Sequence, residues 1–122
     1  MKILVVDDEK DIQTLFEQRF RKEIRDGSLQ FAFAFSGEEA LAYLNGHEAV
    51  LILSDINMPG MSGLELLSHI KHLLLKPPPV VMMITAYGDD ENRTQAMQNG
   101  ANDFLTKPLD FSILKEKLRT LV

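Results

Sequence analysis

Residues 3–9 read Ile3-Leu4-Val5-Val6-Asp7-Asp8-Glu9, an uninterrupted apolar run closed by three acids. Continuous apolar runs of this kind suit strands covered on both faces, as in parallel sheets. Val50-Leu51-Ile52-Leu53 repeats the pattern and runs through Ser54 into Asp55. Val80 to Ile84 ends on Thr85, and a short run near Phe104-Leu105 ends on Lys107. Strands of one sheet that each finish on a charged or hydroxyl residue gather those side chains at one rim. That rim is where open α/β sheets bind ligands.

Between the strands the period changes to that of helices. Ile12, Leu15, Phe16, Phe20 and Ile24 share one helical face, which predicts a first helix over 9–25, ended by Asp26-Gly27-Ser28. Leu29 to Phe35 reads as strand two, and Ser36 with Glu39 as a capping box opening a helix that stops at Asn45-Gly46. Strand three is Val50 to Ser54. Leu64, Leu67, Ile70 and Leu74 give a third helix its stripe, and Pro77-Pro78-Pro79 prevents its continuation. Asp89 to Asn99 is expected as a fourth helix with only Ala96 and Met97 apolar, so its anchorage looks thin. Strand five is Asp103 to Thr106. Asp110 then caps a fifth helix with Phe111, Leu114, Leu118 and Leu121 on its inner face.

Five strands alternating with five helices predict an α/β fold, a flavodoxin-like (βα)5 unit with helices on both faces of a five-stranded parallel sheet. Right-handed crossovers leave few topologies, and order 2-1-3-4-5 is a common one. In that order strands one and three are neighbours. The winding reverses between Asp7-Asp8 and Asp55, and the two acidic groups share one crevice.

The chain has 122 residues, 45% of them hydrophobic, which suits a single domain, 1–122, with a sizeable core. Its net charge of −5 and lack of a Lys/Arg run argue against direct nucleic-acid binding. With no cysteine, disulfides and thiolate metal sites are excluded. The apolar run after Met1-Lys2 is too short for a signal peptide, and no stretch reaches a membrane span, so a cytoplasmic protein with no membrane contact is expected.

Three carboxylates in one crevice repel one another unless a cation sits among them or some stay protonated. Oxygen-only ligands favour a hard ion, and few carboxylates with room for water suit Mg²⁺ better than a full Ca²⁺ cage. Lys107 adds a positive charge at the same rim and Thr85 a hydroxyl donor. Together they describe a pocket for a phosphoryl group, with a carboxylate available as nucleophile. Each acid alone would read as a solvated loop residue, or as charge favouring a helix N-terminus. The joint occurrence at four strand ends carries the reading.

The segments ILVVDDE at 3–9, LSDINMPGMSGLELL at 53–67, ITAYGD at 84–89 and GANDFLTKPLD at 100–110 resemble the receiver domains of bacterial two-component response regulators. The resemblance extends from Lys2 to Val122. It implies that Asp55 accepts a phosphoryl group from a histidine kinase's phosphohistidine. Asp7 and Asp8 would hold Mg²⁺ with Asp55, the Asn57 backbone carbonyl being a further ligand. Thr85 and Lys107 would engage the phosphoryl oxygens, Ala86 would leave the entrance open, and Lys107-Pro108 would be a cis bond. Phe104 stands where the family has an aromatic that turns inward when the hydroxyl residue moves, altering the face built from the fourth helix, strand five and the fifth helix.

The same resemblance implies a signalling domain rather than an enzyme in the ordinary sense. Its partners would be a sensor histidine kinase or phosphotransfer protein, and a downstream output domain or protein. A phosphorylation-dependent homodimer through the altered face is a further option. Two other classes compete. A Mg-dependent aspartyl-phosphate phosphohydrolase would carry Asp-x-Asp after strand one and usually a cap, whereas Asp7 and Asp8 are adjacent and no cap insertion exists. A flavin carrier would need hydroxyls and amides where Asp7-Asp8-Glu9 stands. His47, His69 and His72 read as solvent-facing, and Pro59-Gly60 and Gly63 as residues that shape the loop after strand three.

Overall fold

In the computed structural model, which describes residues 1–121, eleven elements follow in chain order. They are β1 (Lys2–Val6), α1 (Asp11–Arg19), α2 (Arg21–Arg25), β2 (Gln30–Ala34), α3 (Gly37–Leu44), β3 (Leu51–Asp55), α4 (Gly63–His72), β4 (Val80–Thr85), α5 (Asp90–Gln98), β5 (Asp103–Thr106) and α6 (Phe111–Arg119). The fourth and fifth helices expected from the sequence are thus α5 and α6. Val122, the last residue of the expected 1–122 domain, lies outside the described residues.

The strands form one parallel sheet of order β2-β1-β3-β4-β5, the expected flavodoxin-like topology. Alternation along β1 divides the core. Ile3 and Val5 face a cluster with Phe16, Phe20, Leu114 and Leu118, from the α1 and α6 side. Leu4 and Val6 face the other, with Ala40, Leu44, Leu66, Leu67, Ile70 and Ala96 of α3, α4 and α5. The central strands are buried on both faces, which is why they read as unbroken apolar runs.

Three expectations change. The first helix is not continuous over 9–25: the backbone turns at Phe20 (φ −113°, ψ 24°), dividing it into α1 and α2. Phe20 is fully buried, its ring 5.8 Å from Phe16 and 5.1 Å from Phe31 between centroids. Beyond it α2 has no buried residue, so nothing holds that turn on the axis of α1. Its start also shifts to Asp11, with Lys10 at the N-cap and, just before it, Asp7 Oδ1 accepting the Glu9 N–H at 2.9 Å.

The stripe of α4 is Gly63, Leu66, Leu67 and Ile70, at i, i+3, i+4 and i+7. Leu74 is not part of it. The helix has ended, and Leu74 takes a left-handed conformation (φ 51°) with 78% exposure.

At α3 only half of the capping box exists, the Ser36 hydroxyl accepting from the Glu39 N–H. The complete box lies at α4, where Ser62 and Glu65 cap each other. The thin anchorage of α5 is as expected, since Ala96 is its one buried residue and Met97 is 43% exposed. Among the described residues no helix is long and apolar enough to cross a membrane.

Candidate functional site

Register brings the acids together. Val6 pairs with Ser54, so the next residues, Asp7 and Asp55, leave β1 and β3 side by side. Asp7, Asp8 and Asp55 each offer a carboxylate oxygen within 4.8 Å of the others. Asp7 and Asp55 are buried while Asp8 is exposed, so the cluster has one open side.

Lys107 closes the cluster from β5. Its Nζ donates to Asp55 Oδ2 at 2.7 Å, and its backbone N–H donates to the Thr85 carbonyl at 2.8 Å. The Lys107-Pro108 peptide is cis, as expected, and Lys76-Pro77 is a second cis bond that the sequence did not reveal. Burial on its own would lower the Lys107 ammonium, but the hydrogen bond and charge of Asp55, with the charges of Asp7 and Glu9, outweigh it and raise its pKa.

Asp7 moves upward too. Burial is the largest cause, opposed by the Glu9 N–H and reinforced by the negative charge of Asp55. A buried carboxyl pushed up by a like charge is what a cation would relieve. The donors are all oxygens, with no imidazole or thiolate among them, which fits a hard divalent ion such as Mg²⁺.

The loop after β3 is held tightly beneath Asp55. Asp55 Oδ1 accepts the Asn57 N–H at 3.2 Å, the Gly63 N–H donates to the Ile56 carbonyl at 2.8 Å, and the Ile56 N–H donates to Ile84 at 3.1 Å. A Cβ at Gly63 would lie 2.1 Å from the Asp55 carbonyl oxygen, so this loop closes only with glycine there. Gly63 therefore shapes the loop as expected.

Thr85, 3% exposed, ends β4 one residue beyond Ile84, the partner of Asp55. Phe104 is not in the cluster. It lies half-buried on β5, two residues before Thr106, the partner of Thr85. The Arg93 guanidinium of α5 sits over its ring, 4.9 Å from the centroid. Nothing in the sequence signalled that contact, which depends on how α5 lies beside β5. Ala86, Asn57 and Tyr87 are exposed around the rim, Tyr87 by 87%.

His47, His69 and His72 are all exposed, and the ring of His47 stacks on Tyr43 at 4.3 Å between centroids. A surface cleft lined by Lys2, His47, Lys76 and Val80 lies at the other ends of the strands and carries none of the rim residues.

A family model described as the response regulator receiver domain matches residues 3–119. The chain is 38% identical over 110 residues to an "Uncharacterized 14.6 kDa protein in sodA1 3'region" of Leptolyngbya boryana, covering 90% of this chain and 81% of that protein. It is 39% identical over 119 residues to the response regulator protein PilR of Pseudomonas aeruginosa. That match covers 98% of this chain but only 25% of PilR. Among solved structures, the receiver domain of the Francisella response regulator 1452 superposes with a TM-score of 0.84 at 28% identity, covering 98% of this chain and 94% of that one.

Proposed function

The chain belongs to the response regulator receiver domain family, and from that premise we propose that residues 1–122 form one receiver domain in which Asp55 accepts a phosphoryl group in a Mg²⁺-dependent reaction. The observation that carries the proposal is the buried Asp55 carboxylate, paired with Lys107 at 2.7 Å and clustered with Asp7 and Asp8.

In the proposed reaction an Asp55 oxygen attacks phosphorus, forming an O–P bond as the P–N bond of a phosphohistidine breaks. Asp7, Asp8, Asp55 and the Asn57 backbone carbonyl would hold Mg²⁺, whose charge offsets that of the phosphoryl oxygens. Lys107 neutralises one of those oxygens and the Thr85 hydroxyl donates to another. The exposed side of the cluster, at Asp8, leaves a path for the donor.

The acyl phosphate adds negative charge and acceptor oxygens, so states in which Thr85 and Lys107 approach it gain population. Phe104 then moves into the space that Thr85 leaves, and the α5-β5-α6 face changes. Support for a mobile α5 comes from its single buried residue.

The donor would be a sensor histidine kinase or phosphotransfer protein. The altered face would act on an output domain or protein, or pair with a second copy of the chain. The matched stretch is about a quarter of PilR. The test is intact mass after incubation with a small phosphodonor, with and without Mg²⁺. The expected result is one phosphoryl adduct that needs the metal and is absent from Asp55→Ala.

A further inference from the structure

The contact between Arg93 and Phe104 has no part in holding or transferring the phosphoryl group, yet it joins α5, which buries only the small side chain of Ala96, to the proposed switch aromatic. The guanidinium carbon lies 4.9 Å from the Phe104 ring centroid, within cation–π range. Nη2 of Arg93 lies 3.6 Å from Asp90 Oδ1, one turn earlier on α5. The ring is half-buried on β5, while Thr85 is buried on the neighbouring strand.

A half-buried phenyl ring gains by going deeper, because apolar area leaves water. A cation stacked on its face works the other way, since inward movement of the ring breaks the stack. We propose that Arg93 is a positioning residue for the switch, a latch that holds Phe104 in its present half-buried place and so sets how strongly the resting state is favoured before phosphorylation. The inference rests on the proposed function, in which Phe104 moves when Asp55 is modified.

Thermodynamic reciprocity makes the latch measurable from the phosphoryl site. Whatever favours the resting place of the ring weakens binding of any group that selects the other place, by the same factor where the resting place dominates. A cation–π contact at a partly exposed position shifts such an equilibrium by about two- to fivefold.

The probe is beryllofluoride with Mg²⁺, a tetrahedral mimic of an aspartyl phosphate, its binding followed by the ¹⁹F resonances of the bound fluorides. Affinities are compared in the unmodified chain, Arg93→Ala, Phe104→Leu and the double variant, each with its thermal transition recorded to establish folding. The expected result is that Arg93→Ala tightens binding about two- to fivefold, with no such effect when Phe104 is already Leu. Arg93→Lys, which keeps the charge but loses the planar stack, should fall between.

Equal or weaker binding by Arg93→Ala would overturn the latch. So would equal tightening in both backgrounds, because Arg93 would then act without the ring. Failure of the unmodified chain to bind the mimic would instead remove the functional reading, and the latch with it.

Discussion

Lys107 Nζ reaches Asp55 Oδ2 at 2.7 Å from a strand two places away in the sheet, and this pair ties β5 to β3 at the rim. The Asp55 side chain is 3% exposed and that of Lys107 40%, so solvent screens one partner and not the other. Lys107→Ala should therefore destabilise the protein by about 1 kcal/mol, less than the loss expected for a fully buried pair. The raised Lys107 pKa contributes stability that is complete below the unfolded value of 10.5 and is lost as pH rises through the folded value. Urea titrations of both proteins at neutral and strongly alkaline pH measure this; a difference that does not shrink at high pH would refute it.

Asp7 is raised as well, but chiefly because burial disfavours its charged form rather than because a partner favours it. Its folded pKa is raised above 3.8, so between 3.8 and the folded value the native state holds more proton than the unfolded chain. Stability from this group is therefore greatest below 3.8 and falls as pH rises through the folded value. Asp7→Asn should make the metal-free protein more stable at pH 7, and should abolish most of the stabilisation that Mg²⁺ gives the unmodified chain. Thermal transitions with Mg²⁺ and with a chelator decide the point.

Gly63→Ala should cost about 3 kcal/mol, at the upper end for overpacking, because the added carbon meets backbone at Asp55 rather than a side chain that can turn away. The substitution should also reduce phosphoryl transfer, since the displaced carbonyl belongs to the proposed acceptor. Wild-type stability in a chemical denaturation curve would show that the loop relaxes in a way the close approach does not suggest.

Backbone amides of α5 should exchange with solvent faster than those of α1 and α6. The reason is that α5 buries only the methyl of Ala96, against the whole ring of Phe16 in α1 and the side chains of Leu114 and Leu118 in α6. Native-state hydrogen exchange resolves the three helices directly, and equal protection would count against a mobile α5.

The sheet was legible because its signals are local. A run such as Ile3 to Val6 ending on acid states both its burial and its rim, and the topology then brings Asp7 beside Asp55 through the pairing of Val6 with Ser54. What escaped the sequence depends on contacts between distant residues. Phe20 shares the apolar face of the helix before it, and only its packing against Phe16 and Phe31 reveals where that helix breaks. Leu74 continues the α4 periodicity in sequence but falls after the chain has turned into the left-handed region. The Ser62/Glu65 box was readable by the same rule as Ser36/Glu39, and only the former is complete. Arg93 over Phe104 has no sequence signature at all, since the two meet through the placement of α5 beside β5.

Borohydride reduction of the phosphorylated protein, followed by peptide mass mapping, tests the identity of the phosphoryl acceptor most directly. An acyl phosphate is reduced at the carbonyl carbon that carries it, which converts that aspartate to homoserine and leaves unmodified carboxylates unchanged. Conversion is expected at position 55 alone, and only in samples phosphorylated with Mg²⁺ present. Conversion at Asp7 or Asp8, or at Asp55 irrespective of the metal, would contradict it.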